Sequence, residues 1–404
     1  MKGKVNRMFK IEKSDYVKRV QNLKEWMQNE SIDALFVYGD EYRRENLRYV
    51  SNVWPIFERG AALIPMKGEP IILGAPEGEL LCREMSAWKD IRLLPDFTCV
   101  TVPDEIDYPF ANYTTFKQVF DEVADRSKLE KVAISGIEDM SVMLYETIIK
   151  SVQGAEIIDG NPIMAKLRLS KSDGEIKCLE IAASIADSAY KTMILAAIPG
   201  VTELELSGLA TGEAMKRGAE YVPFCLVTSG DRVNTIIGRA TSKIITEGEM
   251  VMAALAVQYE GYVASFGFPF IVGQANEGQF KLIDNLIGSY EEALKNLRAG
   301  TPQHVLVKAV KNYFAEKNLS QYDLYPPLHG CGLSEAESPY PNENTMASFV
   351  ENMTVNTDIS LFGHPDGSNR IETSLVVTSD GYRPLSQLVI ELIESWKTKR
   401  GLLI

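Results

Sequence analysis

Up to about residue 160, short apolar runs that end in glycine alternate with stretches of helical spacing, and after residue 162 that rhythm stops. IDALFVYG, KVAISG and AEIIDG each read as a strand closed by a turn. Residues 13–30 carry Tyr16, Val17, Val20, Leu23 and Met27 at helical spacing. AALIPMKGEPIIL reads as a hairpin turning at Lys67–Gly68, and the stretch from Met140 to Gln153 as a helix. Helices and strands interleaved on this scale predict an α/β domain over 1–162, a mostly parallel or mixed sheet flanked by helices. Residues 163–198 then make one long helical stretch interrupted at Ser170–Asp173, and a second helix, Glu203–Arg217, follows the Pro199–Gly200 break. From Tyr221 onward strands dominate, with helices over Gln279–Ala299 and Val305–Asn318 between them, so a second, strand-rich domain is expected over 163–404.

A chain of 404 residues is long enough for two or three domains, each able to bury a core without disulfides or structural metal. The net charge of −13 leaves no basic stripe to track phosphates, so nucleic acid is not an expected partner. Five cysteines (Cys82, Cys99, Cys178, Cys225, Cys331) without paired spacing fit free thiols in a reducing compartment. The N-terminal segment MKGKVNRMFKIEKSDYVKRV has no apolar core of a secretory signal. No apolar run approaches the roughly 20 residues that cross a bilayer. A cytoplasmic protein without a membrane partner is expected.

Five segments of the second part resemble the creatinase/aminopeptidase P family, in family order and at family spacing. IMAKLRLSKSDGEIKCLEIAASIADSAY resembles the opening of its pita-bread domain, with Arg168, Lys171, Glu175 and Ile176 as landmarks. A Gly248–Glu249 turn leads to a hairpin ending in EGYVASFGFPF, with Gly261 and Tyr262 as markers. HGCGLSEAESP resembles the family's HGxG…E-x-P stretch, NMTVNTDISLF a ligand-bearing strand, and RIETSLVVTSDGYRPL the closing strand. The first 160 residues fit the creatinase-type N-terminal domain. The resemblance implies an α/β N-terminal domain followed by an α+β pita-bread domain, and a homodimer.

Metallopeptidases of this family hold two divalent ions through Asp, Asp, His, Glu and Glu, because two hard dications about 3.5 Å apart need many anionic oxygens while they activate one water. The resemblance places the two aspartates at Ala254 and Ser265, eleven residues apart, and neither supplies a carboxylate. The other three positions are His329, Asp358 (shortened from Glu) and Glu372. No cofactor is expected. If one ion binds, Zn, Mn or Fe at His329, Asp358 and Glu372 is the candidate set; otherwise these three form a hydrogen-bonded cluster on the cleft floor.

The family's proton-handling histidines fall at Ile237 and Ala336, and the arginine that often follows the second aspartate falls at Phe268, so the pocket is rebuilt with apolar side chains. Glu337 is retained and joins His329, Asp358 and Glu372 as the candidate catalytic set. His329 is either a general base or a structural histidine. Arg370, two residues before Glu372, either grips a substrate carboxylate or pairs with Glu372. His364, Arg232, Arg239, Ile237 and Tyr262 complete the candidate substrate-binding residues, with an exposed turn as the alternative for His364 and solvated loop charge for the two arginines. His304 is expected at the surface, and Cys331 is either a nucleophile or a small buried residue.

These residues support a hydrolase acting on a C–N bond of a small amide-, amidine- or imino-acid-like substrate or short peptide, without the dinuclear centre. Two alternatives stand beside it: a non-catalytic pita-bread protein that binds a peptide or metabolite, and a single-metal hydrolase or lyase.

Overall fold

The computed structural model describes residues 9–99, 112–126, 128–152 and 154–399. Gln153, the last residue of one expected helix, and residues 1–8 of the segment inspected for a signal lie outside the described residues. Two compact units result, one of Ile11–Arg168 and one from Leu169 onward that also takes Phe9 and Lys10. The helix Asn161–Leu169 runs through position 162, where the sequence texture changes.

In the first unit a six-stranded sheet is built from β1 (Ala34–Asp40), β2 (Arg59–Pro65), β3 (Ile71–Gly74), β4 (Asp90–Leu93), β5 (Lys131–Ser135) and β6 (Glu156–Asp159), in the order β4-β3-β2-β1-β5-β6. β2 runs antiparallel to both neighbours and the remaining pairs are parallel, the mixed sheet expected from the alternation. The β2–β3 hairpin turns through Gly68, whose φ of 103° suits glycine. Leu35, Phe36 and Val37 on β1 are all fully buried, which explains an unbroken apolar run rather than an alternating one. The helix Lys13–Asn29 buries Tyr16, Val20, Leu23 and Met27, one stripe of its surface. Full burial of each such side chain contributes about 1.5–3 kcal/mol. The helix Phe116–Arg126, which places Phe116 and Phe120 against Phe36, was not foreseen.

The second unit opens with the helix Asp173–Ala196. Ser172 caps it, accepting from the Glu175 N–H at 3.4 Å while the Glu175 carboxylate accepts from the Ser172 N–H at 2.9 Å. Eight strands follow: β7 (Tyr221–Ser229), β8 (Met250–Tyr259), β9 (Tyr262–Gly267), β10 (Phe270–Ile271), β11 (Leu328–Gly330), β12 (Thr354–Leu361), β13 (Asn369–Val377) and β14 (Tyr382–Pro384). They form one antiparallel sheet in the order β10-β8-β9-β13-β12-β11, with β7 beside β8 and β14 beside β13. β8 turns into β9 through Glu260 (φ 48°) and Gly261 (φ 87°), both left-handed as a two-residue type I′ hairpin requires. Helices lie on one face of the sheet: Tyr190 packs on Phe266 with ring centres 4.7 Å apart, and its hydroxyl donates to the Ala253 carbonyl at 3.2 Å. The chain is thus an α/β domain followed by an α+β domain of pita-bread type.

Candidate active site

Strand register decides which side chains share the face away from Tyr190. Ala254 pairs with Gly267 across β8 and β9, Gly267 with Glu372 across β9 and β13, and Glu372 with Asp358 across β13 and β12. His329 on β11 pairs with Asn356, two residues from Asp358 and so on the same face. Ser265 is two residues from Gly267. Ala254, Ser265, His329, Asp358 and Glu372 therefore look out from one sheet surface, brought there by four strand pairings.

A cavity of about 420 Å³ opens on this surface. Its floor is Asp358, Arg370 and Glu372, and its walls include Phe224, Leu226, Tyr325, Pro326 and Tyr340. Ile237, although 74% exposed, and Ala336 also line it. Apolar walls around a few converging polar groups are the usual make-up of a small-molecule site.

On the floor, Arg370 Nη1 lies 3.3 Å from Asp358 Oδ2 and 3.7 Å from Glu372 Oε2. Glu372 is almost fully buried; Asn356 Nδ2 donates to its Oε1 at 3.0 Å, and its Oε2 has no hydrogen bond. Burial, with Asp358 and Glu335 adding like charge, pushes the Glu372 carboxyl well above the ordinary carboxylate range, against the opposing pull of Arg370. Arg370 is also deeply buried, yet the two acids beside it hold its guanidinium above the ordinary value. On the rim, His329 Nδ1 sits 2.9 Å from the Gly330 carbonyl. A carbonyl only accepts, so Nδ1 carries the hydrogen and Nε2 turns toward Glu335, 3.5 Å from its Oε1.

Glu335 was not foreseen, yet it lines the cavity. Its Oε1 accepts from Ser265 Oγ at 3.2 Å and from Asn356 Nδ2 at 3.4 Å. Glu337, expected in the cleft, is not among the residues lining it. Lys171 Nζ holds Glu337 at 2.9 Å in a buried ion pair instead. Tyr262 also faces elsewhere: it lies three residues from Ser265 and thus on the helix side, where its hydroxyl donates to Glu175 at 2.9 Å. Arg232 is occupied by Glu203 (Nε to both oxygens at 3.2 Å) and by the Arg239 carbonyl at 2.8 Å. The Arg239 side chain is exposed. His364 sits in the turn after β12 with its ring 4.8 Å from that of Tyr322, outside the cavity lining. Burial pushes the Cys331 thiol up to about 12, which removes the thiolate a nucleophile needs.

A unit built on a mixed α/β sheet, followed in the chain by one built on an antiparallel sheet with acids and a histidine on one surface, defines the class of prolidase- and aminopeptidase P-type hydrolases. The metallopeptidase family M24 model matches residues 177–379 and the creatinase/prolidase N-terminal domain model residues 19–170, so the chain belongs to metallopeptidase family M24. It is similar to the Xaa-Pro dipeptidase of Pyrococcus horikoshii, 24% identical over 93% of this chain and 98% of that protein. Among solved structures it resembles the prolidase from Pyrococcus horikoshii OT3, with a TM-score of 0.78 at 21% identity over 92% of this chain and 98% of that one. The X-Pro aminopeptidase from Thermotoga maritima MSB8 superposes with a TM-score of 0.79 at 21% identity, covering 91% and 97%. Among the described residues no helix is long and apolar enough to cross a membrane.

Proposed function

We propose that the chain is a hydrolase that cleaves a C–N bond of a small amide-, amidine- or imino-acid-like substrate and works without a dinuclear metal centre. The observation that carries this reading is the pair Ala254 and Ser265 on the surface that holds His329, Asp358 and Glu372. Ala254 has no donor atom, and the Ser265 hydroxyl is neutral and engaged with Glu335. Two hard dications need more anionic oxygens than Asp358 and Glu372 offer. Among the described residues no group of three or more His, Cys, Asp or Glu side chains is arranged to hold an ion. The donor set does not fit such a centre, and a single Zn, Mn or Fe at His329, Asp358 and Glu372 is the less supported variant.

Arg370 supplies the positive charge beside the two floor acids. His329, its Nδ1–H committed to Gly330, offers Nε2 to a water proton as that water adds to the substrate carbon. The C–N bond then breaks as the leaving nitrogen takes a proton from the Glu372 carboxyl, which burial favours in its proton-bearing form. Return of the His329 proton to Glu372 through water closes the cycle. A small-molecule or short-peptide substrate and a homodimer belong to the same reading.

Mass spectrometry of products from Ala-Pro, Met-Ala-Pro and a panel of small amides and amidines, on exhaustively chelated protein, tests it. A panel member should be turned over, and that turnover should vanish in His329→Ala and in Glu372→Gln. The two Xaa-Pro peptides should stay intact even with excess Mn, Co or Zn. Turnover that appears only when one of these ions is added overturns the reading. Ile237 and Ala336, apolar side chains on the cavity wall, favour a second reading, a non-catalytic protein that holds a peptide or metabolite. Saturable binding without turnover selects it.

A further inference from the structure

We propose that the N-terminal unit carries a binding site of its own, for a neutral polyol of sugar-ring size, in a cavity at the carboxyl edge of its sheet. β1 and β5 lie side by side and parallel; β1 leads on to β2 on one side, and β5 to β6 on the other. The chain connections part in opposite directions there. An open α/β sheet places its ligand crevice outside the carboxyl ends of the strands at such a point. A cavity of about 450 Å³ opens in that place. Asp40, the last residue of β1, lines it, together with Asp139 and Ser141 just beyond β5. Glu58 and Arg59 join them from the start of β2, which runs the other way.

The lining suits hydroxyl groups. Asp40 Oδ1 accepts from the Tyr42 and Arg43 N–H groups, both at 2.8 Å, and Glu41 Oε2 accepts from the Phe57 N–H at 3.1 Å. The amides of Gly78 and Glu77 bond the Glu58 carboxyl. Backbone donors thus orient three acid side chains before any ligand arrives. Glu58 is deeply buried, and among the described residues its Oε1 has no hydrogen-bond partner. A ligand hydroxyl both donates and accepts, so it satisfies this oxygen whether or not the carboxyl carries a proton. Arg59 adds a planar donor to the same lining. Two rings complete it, Tyr42 at 76% and Phe57 at 64% exposed, so their faces are open to a ligand. Phe57 holds φ at 59°, a left-handed conformation rare for so large a side chain, and backbone strain of this kind gathers at ligand sites. The negative faces of aromatic rings attract the polarised C–H bonds of a sugar ring.

Saturation-transfer NMR titrations of the full chain with methyl glucoside, methyl galactoside, methyl mannoside and ribose test the proposal, with tetrahydropyran as the ring stripped of hydroxyls. At least one sugar should bind saturably and about tenfold or more tightly than tetrahydropyran. Phe57→Ala, a change at an exposed side chain, should weaken that sugar about fivefold. Glu58→Ala should weaken it about tenfold. Glu58→Gln, which keeps a hydrogen-bonding end of the same size, should retain most of the affinity and guards against a folding defect in the alanine variant. Absence of saturable binding by all four sugars overturns the proposal. So does tetrahydropyran binding as tightly as the sugars, or an affinity that Phe57→Ala and Glu58→Ala both leave unchanged.

Discussion

Arg370 Nη1 stands 3.3 Å from both carboxylate oxygens of Asp358 on the neighbouring strand. The same guanidinium reaches Glu372 at 3.7 Å, donates from Nη2 to the Ile236 carbonyl at 2.8 Å, and lies 5.4 Å from the centre of the Phe362 ring. One cation sits beside Asp358 and the buried Glu372 and ties them to the loop that carries Ile237.

Removing that cation leaves two acids in a dry site. Arg370→Met should lower stability by about 3–5 kcal/mol, the usual loss when one member of a buried charge pair is deleted. Adding Asp358→Asn and Glu372→Gln to the same chain should recover most of it. Urea unfolding of the three proteins decides; a loss below about 1 kcal/mol in the single variant would mean that water already solvates the floor.

Ala254 and Ser265 sit diagonally across β8 and β9, and Gly267 between them has Glu372 as its partner on β13. Aspartates at both positions would add two carboxylates to the surface of His329, Asp358 and Glu372. Ala254→Asp/Ser265→Asp should therefore bind divalent ions that the parent does not, and gain about 2.7 kcal/mol of stability at a hundredfold excess over the dissociation constant. Without metal the variant should be less stable than the parent, because the new acid at 265 faces Glu335. Calorimetry with Mn and Zn showing no more binding than the parent would sink this account of the surface. Xaa-Pro cleavage need not appear with the metal, since Ile237 and Ala336 still handle no protons.

In the N-terminal unit, Glu58 is 4% exposed, with Oε1 lacking a hydrogen bond. Burial pushes its carboxyl up to about 7, against the amides of Gly78 and Glu77, while Asp40, Glu41, Asp139, Arg59 and Cys99 line the same cavity. A folded-state value above the ordinary 4.5 means that the folded protein holds this proton more tightly than the unfolded chain. Its stabilising contribution is complete below that ordinary value and is lost as pH rises through about 7. Relative to Glu58→Gln, the parent should lose stability between roughly pH 5 and pH 8. Urea midpoints whose difference stays constant over that range would refute it.

A dimer at micromolar concentration is expected from the family's mode of assembly. Sedimentation velocity that finds a single monomeric species would remove the homodimer from the proposed function.

Local patterning determined most of the elements, because the forces behind it act within a few residues. The spacing of Tyr16, Val20, Leu23 and Met27 marks the buried stripe of their helix, and the apolar run of IDALFVYG reads as the covered strand it forms. FKQVFDEVADR carried an amphipathic signal of the same sort that went unread. The order of family motifs also identified Ala254, Ser265, His329, Asp358 and Glu372 as one surface, and strand register puts them there. Parity along β9 already contained the fate of Tyr262: three residues from Ser265, it must point the opposite way. What only the tertiary structure decided lies where no period constrains a side chain. β11 ends at Gly330, and beyond it the irregular loop turns Glu335 into the cavity and Glu337 onto Lys171, a choice made by packing across 166 residues of sequence. The partners of Arg370 were undecided for the same reason: a charge pairs with whatever the fold brings within 3 to 4 Å, and that distance is set across strands.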